Sequence, residues 1–87
     1  MARYRVEIRT SAVKELETVT PKRERQRIAR KVAVLADEPR PRGCEKLAAQ
    51  GDRYRVRQGR YRIVYAVDDA TLIVDVVKIG HRKEIYR

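Results

Sequence analysis

The sequence predicts an α+β fold in which four antiparallel strands form one sheet and two N-terminal helices pack on one of its faces. Three patterns indicate this fold: an alternating run at residues 3–9, apolar residues at helical spacing between residues 13 and 35, and two alternating runs that flank Gln58-Gly59. The element order is β-α-α-β-β-β. A chain of 87 residues suffices for one modest core, so residues 1–87 are predicted to form a single domain.

The first strand and the first helix are predicted from residues 3–19. Strict alternation from Arg3 to Arg9 places apolar and charged side chains on opposite faces of a strand. A short helix follows, with either Thr10 or Ser11 as its capping residue. The apolar side chains predicted to lie on its buried side are Val13, Leu16 and Val19.

The second helix has the clearest periodicity in the chain. Thr20 followed by Pro21 is a start signal, because Pro is favoured at the first helical position. Residues at i, i+4 and i+7 spacing then form an apolar stripe, which consists of Ile28, Val32 and Leu35. The helix is expected to end before Pro39, since the residue preceding a proline is pushed out of helical geometry.

A β-hairpin follows at residues 54–65. With Gln58-Gly59 as the two turn residues, Arg57 pairs with Arg60 and Arg55 pairs with Arg62. Side chains alternate between faces along a strand, so this register separates two sets. The core face carries Tyr54, Val56, Tyr61 and Ile63, and the other face carries Arg55, Arg57, Arg60 and Arg62, with Arg53 at its edge.

The fourth strand is predicted at residues 71–79. One of its faces carries Leu72, Val74 and Val76, and the other carries Ile73, Val77 and Ile79. A strand that is apolar on both faces is usually central or covered on both sides.

The arginine face of the hairpin indicates a polyanionic partner. Like charges opposite each other destabilise a strand pair, so uncharged polar residues would serve a purely solvated outer face better. A solvated face remains the alternative. The formal net charge of +10, carried mostly by Arg, favours nucleic acid because guanidinium groups bind phosphate in a bidentate way and stack on bases. No apolar stretch is long enough to span a bilayer and no signal peptide is recognisable, so a cytoplasmic protein without a membrane partner is expected.

Metal chemistry is not indicated by the sequence. Cys44 is the only cysteine and His81 the only histidine, so no metal-binding constellation is recognisable. No cofactor is expected, and any catalysis is predicted to be metal-independent.

The hairpin and the C-terminal segment resemble the RelE branch of the RelE/ParE toxin superfamily. The resemblance extends over the whole chain and is most specific at residues 54–57, 59–65 and 79–87. It implies a toxin of a toxin–antitoxin pair that cleaves mRNA in the ribosomal A site without metal. It also implies a cognate acidic antitoxin, RelB-like, that silences the toxin.

The resemblance also implies a set of site residues. The basic pair on the second strand falls on Arg55 and Arg57, the third-strand arginine on Arg62, and the residues of the C-terminal segment on Arg82 and Tyr86. His81 is added as a candidate general acid because imidazole titrates near neutral pH, with a structural role as its alternative. Tyr86 either stacks on a base, transfers a proton or anchors the C-terminal segment. Additional RNA contacts are expected from Arg53, Arg60, Lys78 and Lys83.

These residue types suit metal-free RNA cleavage. The ribose 2′-OH must attack the neighbouring phosphate, which requires proton transfer and stabilisation of a phosphorane-like transition state. Arginines on a rigid hairpin can stabilise that charge, although a guanidinium is a poor general base. Two other functions remain open: a ParE-type toxin that poisons DNA gyrase, and a non-catalytic RNA-binding module.

Overall fold

The computed structural model describes residues 3–47 and 51–81. Five strands and two helices follow one another in the order β1 (Arg5–Ile8), α1 (Thr10–Glu17), α2 (Lys22–Val34), β2 (Glu45–Lys46), β3 (Arg53–Gln58), β4 (Tyr61–Asp68) and β5 (Ile73–His81). The strands form one sheet in the spatial order β1-β5-β4-β3-β2. The predicted α+β fold is confirmed, with one strand more than the predicted four.

The additional strand, β2, lies in the connection that shows no periodicity in sequence. It has two residues and pairs antiparallel with β3, so that Glu45 lies opposite Arg55. β1 also departs from the prediction, because it pairs in parallel with β5 rather than antiparallel. A parallel neighbour requires a long connection, and the two helices and the hairpin between β1 and β5 provide one.

The core lies between the helices and one face of the sheet. From the helical side it contains Ala12, Val19, Ile28, Val32 and Leu35, and the predicted stripe of α2 is therefore confirmed. From the sheet it contains Tyr54, Val56, Ile63, Tyr65, Val67, Val74, Val76 and Ile79. The side chains that alternate with these on β3 and β4 consequently lie on the opposite face.

The starts of both helices differ from the predictions. Arg9 is the N-cap residue of α1 and Pro21 that of α2, so neither Thr10, Ser11 nor Thr20 is the capping residue. α1 also packs through Ala12 at 0% exposure, whereas Val13 is 38% exposed and was wrongly assigned to the core. A small residue at this position lets the helix approach the sheet closely.

The hairpin register is shifted by two residues from the predicted one. Gln58 pairs with Tyr61, Arg57 with Arg62 and Val56 with Ile63, which leaves Gly59-Arg60 as the turn. Gly59 has φ of 61° and is the first central residue, the position at which a type II′ turn requires glycine. Because the shift is even, each side chain keeps its predicted face and only its cross-strand partner changes.

β5 begins and ends two residues later than predicted. Leu72 lies in the preceding turn with φ of 57° instead of in the strand. Val64 pairs with Lys78 and Tyr65 with Val76, so Val77 is an extra residue at a β-bulge. The bulge brings Ile79 onto the same face as Val76, although an unbroken alternation places the two on opposite faces.

α1 covers part of the edge of β5 that β1 does not reach. β1 pairs only with the stretch from Ile73 to Val76. Farther along β5, the Glu15 carboxylate accepts a hydrogen bond from the Ile79 backbone N–H at 3.1 Å and forms an ion pair with Lys78 at 2.9 Å. A side chain from the helix therefore satisfies a backbone donor at the sheet edge.

Neither helix within residues 3–47 and 51–81 is both long and apolar enough to cross a membrane.

Candidate RNA-cleavage site

The open face of the hairpin brings three of the predicted site residues together. Alternation places Arg55 and Arg57 of β3 and Arg62 of β4 on the face opposite the helices, and Arg57 lies directly across from Arg62. All three line one cavity of about 280 Å³. The hairpin thus forms the predicted arginine surface, although Arg60 lies in the turn and lines a different cavity.

The cavity also contains residues that the sequence patterns do not indicate. Lys31 of α2, Arg42 of the preceding loop and Glu45 of β2 complete its polar lining. Five cations and one carboxylate therefore surround the same space, which strongly favours an anion. No periodicity identifies Arg42 or Glu45, since β2 is too short to alternate, and Lys31 resembles any solvated helix residue.

Glu45 supplies an acidic partner for Arg55 from outside the hairpin. Its carboxylate lies 2.7 Å from the guanidinium of Arg55. The Arg55 side chain is only 13% exposed, whereas that of Glu45 is 64% exposed. Arg55 is therefore held in position by a charged hydrogen bond, while the carboxylate remains accessible from solvent.

Arg62 is the most unusual residue of the site. It is only 5% exposed, and it is the only charged residue buried to this extent in the described part of the chain. Its Nη1 donates to the Tyr61 carbonyl oxygen at 3.5 Å, a long contact. Arg62 thus lies almost fully buried in a cavity lined by four other cations.

The other predicted site residues lie apart from this cavity. Arg53 is on the same face, at the far end of β3 opposite Ala66. Lys78 forms the ion pair with Glu15 at the sheet edge. His81 lies opposite Tyr61 on the helix-covered face, and the two rings make an edge-to-face contact with centroids 5.7 Å apart. Arg82, Lys83 and Tyr86 lie outside the described residues.

The placement of His81 bears on its predicted role. Tyr61 shares a strand face with Ile63, so its partner His81 points to the same side of the sheet as the core. The lining of the arginine cavity does not include His81. The general-acid role of His81 and its structural alternative both stay predictions.

A second polar cluster joins the elements that support the hairpin. The Arg40 guanidinium donates to the Tyr54 hydroxyl at 2.9 Å and forms an ion pair with Asp69 at 2.7 Å. The Tyr4 hydroxyl also donates to Asp69. The hydrogen bond from Arg40, followed by that from Tyr4, lowers the pKa of Asp69 below its ordinary value. This cluster links the start of β1, the loop after α2, β3 and the β4–β5 turn.

Tyr65 supports the hairpin from within the core. It is fully buried, its ring stacks on Tyr54 at 5.9 Å, and its hydroxyl donates to the Pro39 carbonyl oxygen at 2.7 Å. Burial is the largest of the effects that raise the pKa of its hydroxyl. Tyr65 is therefore a structural residue.

Comparison with known families fits this architecture. A family model described as the ParE toxin of type II toxin–antitoxin system, parDE, matches residues 6–86. The chain belongs to the RelE/ParE superfamily of type II toxins. Toxin RelG of Mycobacterium tuberculosis is 27% identical over 84 residues, 97% of each chain. A RelE-like toxin protein of Escherichia coli is 35% identical over 83 residues, which cover 93% of this chain and 85% of that protein.

The solved structures that resemble this toxin include RelE toxins. The archaeal RelE–RelB complex from Pyrococcus horikoshii matches with a TM-score of 0.81 and 34% identity, covering 94% of this chain and 97% of that chain. The isolated RelE toxin of Escherichia coli matches with a TM-score of 0.76 and 28% identity, covering 95% and 90%. The predicted resemblance to RelE toxins is confirmed.

Proposed function

We propose that this toxin is a ribosome-dependent endoribonuclease that cleaves mRNA in the ribosomal A site without metal. The observation that carries the proposal is the cavity in which a buried Arg62 lies beside four further cations and one carboxylate. The substrate, mRNA, is inferred from the resemblance to RelE toxins. The chemistry of the cavity suits a phosphodiester.

The reaction is an attack of the ribose 2′ oxygen on the adjacent phosphorus. The bond between the 2′ oxygen and phosphorus forms while the bond from phosphorus to the 5′ oxygen breaks, giving a 2′,3′-cyclic phosphate and a 5′-hydroxyl end. Arg55, Arg57 and Arg62 stabilise the negative charge that develops on the phosphoryl oxygens. Because guanidinium groups stay protonated, Glu45 is the residue of the described cavity lining best suited to accept the 2′ proton.

The departing 5′ oxygen takes up a proton as the bond to phosphorus breaks. His81 does not line the arginine cavity, so we do not assign this step to it. Arg82 and Tyr86 remain the candidates that the family resemblance implies, and water is the alternative donor.

The test is cleavage of mRNA on purified ribosomes, mapped by primer extension. We expect cuts within the A-site codon by the wild-type toxin. Arg62→Ala should slow cleavage by about 10²-fold or more, the effect of losing one preorganised donor. Glu45→Gln should slow it by about 10²- to 10⁴-fold, the range for a lost general base. Arg23→Ala, an exposed arginine of α2 outside the cavity lining, is the control.

Two outcomes would replace this proposal. Because the matching family model is that of ParE, inhibition of gyrase supercoiling without any RNA cut would assign a ParE-type activity instead. Tight RNA binding without cleavage by either the wild type or the variants would indicate a non-catalytic RNA-binding module.

We further propose a cognate acidic antitoxin of the RelB type. The similar structures from Pyrococcus horikoshii and Escherichia coli include RelE–RelB complexes. This toxin exposes large apolar side chains that an amphipathic helix could cover, namely Ile8, Val13, Val34 and Leu72. Co-expression of the protein encoded by a short acidic reading frame next to the gene should restore growth, and that protein should co-purify with the toxin.

Action on ribosomes also implies a cytoplasmic location.

A further inference from the structure

A second cavity lies at the tip of the hairpin. It has a volume of about 430 Å³, within the usual range for sites that hold a small molecule, and lies between the Gly59-Arg60 turn and the start of α2. Its lining includes Glu24, Arg27, Gly59, Arg60, Tyr61 and His81. A Cβ added at Gly59 would lie 2.9 Å from the Glu24 carboxylate, so the turn and the helix approach each other closely at this cavity.

The residues that line this cavity suit a nucleotide. Tyr61 and His81 present two rings, each of which has a π face on which a base can stack. Arg27 is already engaged by Glu24 at 3.2 Å, whereas Arg60 has no ion pair in the described part of the chain. One phosphodiester would therefore match the uncompensated charge of Arg60.

The position of the cavity connects it to the arginine site. The Arg57–Arg62 pair and the Gln58–Tyr61 pair are consecutive along the hairpin, and only Gly59 and Arg60 lie beyond them. A third cavity, whose lining includes Gln58, shares Lys31 with the arginine cavity and Arg27 with this one. A single-stranded RNA could therefore run along α2 from one cavity to the other.

We infer that the cavity formed by Arg60, Tyr61 and His81 binds a nucleotide that flanks the scissile phosphodiester. This inference rests on the proposed function, because it assumes that the arginine cavity holds the RNA phosphate that is cleaved. Tyr61 and His81 contact the base, and Arg60 contacts the adjoining phosphate. Binding there would fix the register of the RNA in the arginine cavity.

The test uses single-stranded RNA with 2′-O-methyl groups, which cannot be cleaved because they lack the nucleophile. Fluorescence anisotropy gives the affinity of the whole toxin for oligonucleotides of two to six residues. His81→Ala and Arg60→Ala should each weaken binding of the longer oligonucleotides about tenfold and leave the dinucleotide unchanged. Arg60→Ala should also reduce the salt slope of binding by about 0.7.

Two controls separate this site from the arginine cavity. Arg23→Ala removes one exposed positive charge of α2 and should change neither affinity nor salt slope. Arg62→Ala should weaken binding at every length. Photo-crosslinking of 4-thiouridine at the flanking position to Tyr61 in the wild-type toxin tests the site without any substitution.

The possible failures are distinguishable. If His81→Ala and Arg60→Ala bind every oligonucleotide as the wild type does and no crosslink to Tyr61 forms, the inference is overturned, while ribosomal cleavage still supports the proposed function. If both variants instead lose affinity only for an acidic partner protein, the cavity is a protein-binding site and the inference is also wrong. If the wild type neither binds nor cuts RNA, the proposed function and the inference fail together.

Discussion

Arg57 and Arg62 show how a single residue pair can oppose folding and serve function. They lie directly opposite each other on neighbouring strands, and Arg62 is almost fully buried. Like charges in this arrangement destabilise the strand pair. The proposed phosphate site would use this concentration of positive charge, because a bound anion would offset the repulsion between the two guanidinium groups.

Replacing Arg57 should therefore separate stability from activity. We expect Arg57→Gln to raise the free energy of unfolding by a few tenths of a kcal/mol to about 1 kcal/mol, because one repulsion is removed. Cleavage should fall at least about tenfold, since a charge that stabilises the transition state is lost. Urea unfolding and ribosomal cleavage measure the two effects, with Arg23→Gln as the control. A variant that is both less stable and fully active would contradict this view of the pair.

Individual site residues were predictable from sequence only where they belong to a strand with a regular alternation of side chains. Arg55, Arg57 and Arg62 belong to an alternating hairpin, so their common face follows from sequence. Glu45 and Arg42 reach the same cavity from a loop and a two-residue strand, for which no periodicity exists. Their position depends on β2 pairing with β3, a tertiary contact that the local sequence does not encode.

At the scale of elements, the turn of the hairpin determines its register. Gly59 is the first central residue with φ of 61°, and it lies close to Glu24 of α2. The sequence indicates a turn here, but Gln58-Gly59 and Gly59-Arg60 are both acceptable turn pairs and place the same side chains on the same faces. The sequence therefore predicted the faces and did not predict the partners.

Gly59→Ala should destabilise the hairpin through its backbone. A residue with a Cβ in this conformation costs about 1–2 kcal/mol, and Asn tolerates it better. We expect Gly59→Ala to lower the free energy of unfolding by that amount and Gly59→Asn by less. Urea unfolding of each variant in the wild-type and Glu24→Ala backgrounds separates backbone strain from the contact with Glu24. Equal stability of the Ala variant and the wild type would rule out the left-handed conformation.

The Tyr4–Arg40–Asp69 cluster should give the fold a specific dependence on pH. The pKa of Asp69 is lowered in the folded state, so its contribution to stability is present above the unfolded pKa of about 3.9 and is lost as the pH falls below that value. Asp69→Asn should therefore flatten the loss of stability below about pH 4. Urea unfolding between pH 6 and pH 2, roughly the range over which carboxylates titrate, measures the change.

Asp37→Asn provides the matched control for this measurement. Asp37 pairs with Arg3 at 3.5 Å, with side chains 69% and 75% exposed, and surface pairs of this kind contribute little. We expect its pH dependence to follow the wild type. If Asp37→Asn and Asp69→Asn flattened the curve equally, the cluster would have no special part in stability.

The whole molecule carries a formal net charge of +10 on 87 residues, and much of it lies near the hairpin and α2. Polyvalent anions should therefore stabilise the fold beyond the effect of ionic strength. We expect sulfate to raise Tm more than chloride at equal ionic strength. The excess should shrink in an Arg57→Gln/Arg62→Ala double variant, which corrects for the general stabilising effect of sulfate. An unchanged excess would place the anion elsewhere on the surface.

The fold class of the molecule was predictable from sequence, but the order and direction of its strands were not. Helical and strand periodicities identify the two layers, and the stripe of Ile28, Val32 and Leu35 identifies the buried side of α2. Periodicity contains no information on which strand lies beside which. The parallel pairing of β1 with β5 and the bulge at Val77 are set by how the helices return the chain to the sheet, so both appear only in three dimensions.

Glu15 has a consequence for the association of identical chains. The unpaired edge of a strand can pair with the same edge of another copy, and such pairing is the usual starting point of cross-β fibrils. By binding the Ile79 amide and the Lys78 ammonium, the Glu15 carboxylate blocks part of the edge of β5. We therefore expect Glu15 to reduce pairing between copies of this protein along that part of β5.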